Sequence, residues 1–233
     1  MASNNGNGQV SAAGQPRFTK QGAIGMTVAQ WADVVTIEVG PGRAKSTIPR
    51  FLARETSQVF QRRFEDRTRR IKRLPDEDAW VFTIYAVYMY TGSLSFNGLG
   101  WPQPQDDATG WQTLVRVYML GKALEDKYFL KLVRVLLNEL TELSWELEHT
   151  FFGPPLDDIN LLYANVPARD SIHEAFAAFW AIHATRARYK AVEGVLHPDF
   201  RRDLLYMKLT VRDHDAEQER TRQLQEDDAN GGA

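Results

Sequence analysis

Cysteine is absent from the 233 residues of this chain, and neither a long apolar run nor an excess of one charge is present. Without thiols the chain can form no disulfide, thiolate zinc site or thiol nucleophile, which fits a reducing compartment. The longest apolar stretch, Ala79 to Tyr90, is shorter than the ~18 residues that indicate a membrane span. A net charge of −2 creates no field that would draw the whole chain to nucleic acid or anionic lipid. We therefore expect a cytoplasmic or nuclear protein that makes no membrane contact.

Composition divides the chain into two polar ends and an apolar middle. Residues 1–25 are rich in Asn, Gly and Gln and lack the pattern of a signal peptide, which predicts a disordered arm. Residues 212–233 are charged and end in small polar residues, which predicts a disordered tail. Between them, the helix-breaking Gly153-Pro154-Pro155 separates a first domain, 26–148, from a helical extension, 156–211.

Apolar periodicity predicts a few short strands followed by helices. Lys45 to Ile48 and Ile71 to Leu74 are expected to be strands beside the β-branched run Val34 to Val39. Phe51 to Phe64 is predicted to be helical in two pieces, and Asp76 is the expected N-cap of the next helix. The fold class is therefore α+β, with a small sheet plus helices followed by an all-α extension. Further helices are predicted over Trp111 to Tyr118, Phe129 to Leu143, Leu156 to Asn165, Ile172 to His183 and Phe200 to Leu209.

Two patterns that would indicate cofactor or metal chemistry are incomplete. Gly40 to Thr47 superficially resembles a phosphate-binding loop, but Ala44 stands where a glycine should precede Lys45, and Pro41 removes a backbone donor. A turn between two strands is the better interpretation. No histidine pair has zinc-site spacing, and His183 on an apolar stripe is expected to be a core or boundary residue. No cofactor, metal or catalytic residue is predicted.

The densest charge run surrounds Glu65 and Asp66. The run has two possible roles. It can contact phosphate or an acidic protein surface, or it can be a solvated helix-to-strand connection whose arginine side chains cover apolar neighbours. Because no DNA-reading motif accompanies the run, the solvated connection is favoured and nucleic-acid binding is kept as the alternative. The run consists of Arg62, Arg63, Arg67, Arg69, Arg70, Lys72 and Arg73.

The segment from Asp33 to Leu143 resembles a BTB/POZ domain of the type common in filamentous fungi. Members of that family begin with an aspartate-led strand and a helical pair with a Leu-x4-Ser-x2-Phe pattern. A strand, an acidic turn, an aromatic helix with a Tyr-Thr-Gly end, and two closing helices follow in the family. The matching residues here are Asp33, Leu52, Ser57, Phe60, Ile71 to Leu74, Asp76 to Asp78, Trp80 to Tyr90, Tyr90-Thr91-Gly92, and Trp111 to Leu143.

The resemblance implies a non-enzymatic protein-interaction module, with the helices after Leu156 as the extension of the fungal members. BTB adaptors of cullin ubiquitin ligases carry an apolar residue, any residue and an acidic residue after the helical pair, and Phe64-x-Asp66 matches that pattern. Phe64 is equally consistent with a core residue that ends its helix. Family homodimers use a helix ahead of the first strand, and Met26 to Ala32 is short for that role. A nucleic-acid-associated transcriptional or chromatin regulator is the alternative function, and it would use the run from Arg62 to Arg73.

Overall fold

A three-stranded sheet lies at the start of the described chain. The computed structural model describes residues 27–65, 71–94, 108–146, 154–168 and 170–210. Strand β1 (Val34–Val39) is central, antiparallel to β2 (Ala44–Pro49) and parallel to β3 (Ile71–Leu74). Val35, Ile37 and Val39 are buried, as their alternation along β1 predicts. The α+β class is confirmed by this sheet and the helices that follow. The predicted disordered ends, 1–25 and 212–233, lie outside the described residues.

The connection from β1 to β2 is a tight turn over residues 40–43. Arg43 N donates to the Gly40 carbonyl at 3.1 Å, and Gly40 has φ +71°, in the left-handed region that glycine reaches without strain. A Cβ at Gly40 would also come within 3.1 Å of the Glu77 carbonyl oxygen. The segment that superficially resembles a phosphate-binding loop is thus a turn between two strands, as predicted.

Among the described residues, six helices belong to the same unit as the sheet, in chain order α1 to α6. The helical pair predicted over Phe51 to Phe64 is confirmed, because an extended Ser57 separates two short helices. The last two helices approach closely at Gly121, where a Cβ would lie 2.8 Å from the Phe129 ring. The bounds are α1 Val28–Ala32, α2 Arg50–Thr56, α3 Gln58–Arg63, α4 Ala79–Thr91, α5 Ala108–Ala123 and α6 Lys127–Glu146.

The N-cap of α4 is Asp78, and the expectation of Asp76 was wrong. The Asp78 side chain accepts hydrogen bonds from Trp80 N at 2.7 Å and Val81 N at 3.3 Å. Residues 75–77 form a turn after β3, so the helix begins later than the first acidic residue indicates. Six of the 13 residues of this apolar helix are buried, whereas Trp80 and Tyr90 remain about half exposed.

The chain divides into two compact units, Met1–Glu146 (unit 1) and Leu147–Ala233 (unit 2). The described part of unit 2 is helical: α7 (Leu156–Asn165), α8 (Ser171–His183), α9 (Arg186–Val192) and α10 (198–210). Its core includes Trp180 and Phe200, which pack edge to face at 5.8 Å between centroids. Nowhere in the described chain does a helix have the length and apolar character needed to cross a bilayer.

Candidate partner-binding cleft

The turn between α5 and α6, formed by Leu124, Glu125 and Asp126 (the α5–α6 turn), is held by side chains that are distant in sequence. Ser57 Oγ donates to the Leu124 carbonyl oxygen at 2.7 Å, and Tyr85 Oη donates to Asp126 Oδ2 at 2.9 Å. These two hydrogen bonds are buried, so water cannot readily replace either partner. The turn is therefore fixed to α3 and α4 as well as to its own helices.

Glu125 is a non-glycine residue with φ +53°, a left-handed conformation that side chains rarely adopt. Arg62 binds its carboxylate with both terminal nitrogens, at 2.6 Å to Oε1 and 3.0 Å to Oε2. Hydrogen bonding between these two side chains is the largest cause that lowers the pKa of Glu125 and raises the pKa of Arg62. The planar two-point contact orients the carboxylate of Glu125 just after α5, although both side chains remain about half exposed.

Ser57 occupies the break between α2 and α3 and makes two hydrogen bonds with one hydroxyl. Its oxygen caps α3 by accepting a hydrogen bond from Phe60 N at 3.1 Å, and its hydrogen is donated to the Leu124 carbonyl oxygen. The side chain is 1% exposed. A serine is suited to this position because it both caps a helix and donates.

Asp126 is buried and begins α6. Its Oδ1 accepts from Phe129 N at 2.9 Å, in addition to the hydrogen bond from Tyr85. Burial raises the pKa of Asp126, and these hydrogen bonds oppose that rise. Burial also raises the pKa of Tyr85 well above its ordinary value, with a further contribution from Asp126. The Asp126 carboxylate therefore accepts hydrogen bonds both from the Tyr85 phenol and from the first turn of α6.

An open cleft of ≈ 460 Å³ lies over this turn. One wall comes from α2 and α3 with Arg54, Gln58 and Gln61, and the opposite wall comes from α6 with Lys127 and Lys131. The volume lies within the range of roughly 300–1,000 Å³ found for ligand-binding clefts. Glu55, Thr56, Ser57, Glu125, Asp126 and Tyr128 complete the lining.

The predicted contact residues separate into three groups. Arg62 supports the cleft through Glu125, and Arg63 is exposed on α3. Phe64 is 1% exposed, and its ring lies 5.7 Å from that of Phe60, with the Arg50 guanidinium 5.8 Å from its centroid. Phe64 therefore lies in the core, which is one of the two environments that the sequence allowed. The remaining predicted residues, Asp66, Arg67, Arg69 and Arg70, lie outside the described residues.

The cleft was missed from the sequence because its walls are far apart in the chain. Ser57 and Leu124 are separated by 67 residues, and no local pattern links them. The one local signal was Asp126 ahead of an apolar helix, which is typical of an N-cap. Left-handed Glu125 gave no signal, because glycine or asparagine usually marks that conformation.

No protein-family model matches this chain, and no curated protein is significantly similar to it. Among the described residues, no group of histidine and carboxylate side chains is arranged to hold a metal ion. The geometry of the cleft is therefore the observation from which a function is argued.

Proposed function

We propose that the chain is a non-enzymatic protein-interaction module that binds a partner in the cleft over the α5–α6 turn. The observation that carries the proposal is the combination of a fixed floor with two open polar walls. A floor held by Ser57, Arg62 and Tyr85 does not need to be ordered when a partner binds. Such preorganisation lowers the entropic cost of association.

The buried acid at the floor supports binding rather than catalysis. A perturbed carboxylate in a cleft is a candidate general acid or base. Here one oxygen of Asp126 caps α6 and the other accepts the hydrogen of Tyr85, so both oxygens maintain the structure. The acid therefore serves to fix the turn beneath the cleft.

The order of elements in unit 1 supports the resemblance to BTB/POZ domains, and a cullin-ligase adaptor is the narrower form of the proposal. Burial of Phe64 limits how that form can be tested, because Phe64→Ala would cost about 3–5 kcal/mol of stability and disturb the fold. Asp66→Ala is the cleaner variant. Recovery of a cullin by the wild type and its loss in Asp66→Ala would support the adaptor; failure of the wild type to bind any cullin would end that form.

The nucleic-acid alternative has less support from the arginine run. Arg62 is paired with Glu125, and Arg73 with Glu38 at 2.9 Å, so two of its cations already bind carboxylates. A gel-shift series at increasing salt tests it, because binding driven by phosphate contacts must weaken steeply as salt rises. Lack of a shift at low salt would remove this alternative.

Affinity capture with two matched variants tests the proposed function. Gln61→Trp fills the cleft from α3, while Arg63→Trp places the same bulk on the same exposed helix outside the cleft lining. We expect partners captured by the wild type to be retained by Arg63→Trp and lost by Gln61→Trp, with both variants folded by circular dichroism. Equal recovery by the two variants would place binding elsewhere.

A further inference from the structure

The rim of the cleft carries three cations that form no hydrogen-bonded ion pair with a carboxylate of the described residues. Arg54, Lys127 and Lys131 are exposed, and within the described ranges none of them donates a hydrogen bond to a carboxylate. Lys127 makes only a small electrostatic contribution to lowering the pKa of Glu125, and both carboxylate oxygens of Glu125 are bound by Arg62. Glu55 is the one exposed acid of the lining that makes no ion pair in the described part of the chain. The charge available to a ligand is therefore positive.

The spacing of these groups fits an extended chain. Lys127 and Lys131 lie one helical turn apart, which separates their Cβ atoms by about 5–6 Å. Alternate residues of an extended peptide point the same way at intervals of about 6.6 Å. On the facing wall, the exposed Gln58 and Gln61 present amides that can both donate to and accept from a peptide backbone.

We propose that the partner enters this cleft as an extended acidic segment, with carboxylates on alternate residues directed to Lys127 and Lys131 and its backbone against Gln58 and Gln61. Arg54 closes the site from the α2 side. The inference rests on the proposed function and specifies the chemistry of its partner. A nucleic-acid strand fits less well, because its uniformly negative backbone would meet Glu55 at every register, whereas a peptide can place a donor or a neutral residue there.

Fluorescence anisotropy with the full chain and three labelled peptides tests this chemistry. The probes alternate serine with glutamate, glutamine or lysine, and a single-stranded oligonucleotide of similar length serves as the fourth. We expect the glutamate probe to bind, and its Kd to rise roughly tenfold in Lys127→Gln/Lys131→Gln, because two rim ion pairs are lost. The matched control is Arg186→Gln/Lys190→Gln, which removes an exposed basic pair at the same spacing from α9 and should leave the Kd unchanged.

Each outcome has a distinct meaning. Equal weakening by both double variants, or tighter binding of the oligonucleotide than of the glutamate probe, overturns the acidic-segment inference. If the glutamate probe fails while capture of a partner remains sensitive to Gln61→Trp, the partner chemistry is wrong and the proposed function stands. If no probe binds and capture is insensitive to Gln61→Trp, both are wrong.

Discussion

Replacement of Ser57 by alanine should destabilise unit 1 more than the loss of an ordinary helix cap. Removing the cap of α3 costs about 1 kcal/mol. The Leu124 carbonyl oxygen also loses its 2.7 Å donor in a buried position, which adds about 1–3 kcal/mol. We therefore expect Ser57→Ala to lower the free energy of unfolding by about 2–4 kcal/mol in total.

Urea denaturation of Ser57→Ala and Thr27→Ala separates the two contributions. Thr27 caps α1 in the same unit, accepting from Gln30 N at 3.3 Å, and it is exposed, so its loss leaves groups that water can reach. Its replacement should cost about 1 kcal/mol or less. Equal destabilisation by the two variants would refute the argument that the Ser57 hydroxyl fixes the α5–α6 turn. Faster hydrogen exchange at Phe129 and Leu130 in Ser57→Ala alone would locate the loss at that turn.

Three further predictions concern the two cores. Phe64→Ala should lower the stability of unit 1 by about 3–5 kcal/mol, whereas Arg63→Ala beside it should change the urea midpoint little. Gly121→Ala should cost about 1–3 kcal/mol, because its Cβ would meet the Phe129 ring; unchanged thermal unfolding would contradict the close approach of α5 and α6. Burial lowers the pKa of His173, which stacks on Tyr163 at 3.9 Å and whose Nε2 has no hydrogen-bonding partner in the described chain. Stability should therefore be full above pH 6.5 and fall as the unfolded state takes up a proton below it, and His173→Phe should reduce that dependence in a pH series of denaturation curves.

The sequence predicted elements whose signals are local and missed features built from distant residues. β-Branched residues identified β1, and the segment from Phe51 to Phe64 was correctly predicted to be helical in two pieces. The cap of α4 was misplaced by two residues because Asp76 and Asp78 are both residues that commonly cap a helix. Only the end of β3 and the turn after it decide between them.

Pairing across the cleft floor depends on tertiary structure in the same way. Arg62 belonged to a charge run in the sequence, and the fold pairs it with Glu125, which lies 63 positions later in the chain. The sequence left open whether Phe64 ends its helix as a core residue or lies exposed as part of the Phe64-x-Asp66 pattern. Burial beneath Arg50 resolves that question.

The tethers of the α5–α6 turn also bear on when the cleft forms during folding. Each closes a long loop, of 67 residues for Ser57 and Leu124 and 41 for Tyr85 and Asp126. The entropic cost of closing a long loop is met before the contact can stabilise it, so we expect these tethers to form late in folding. A nascent chain that has left the ribosome only as far as α4 has one wall of the cleft and no floor. The proposed partner binding at this site would therefore require a chain that has completed unit 1.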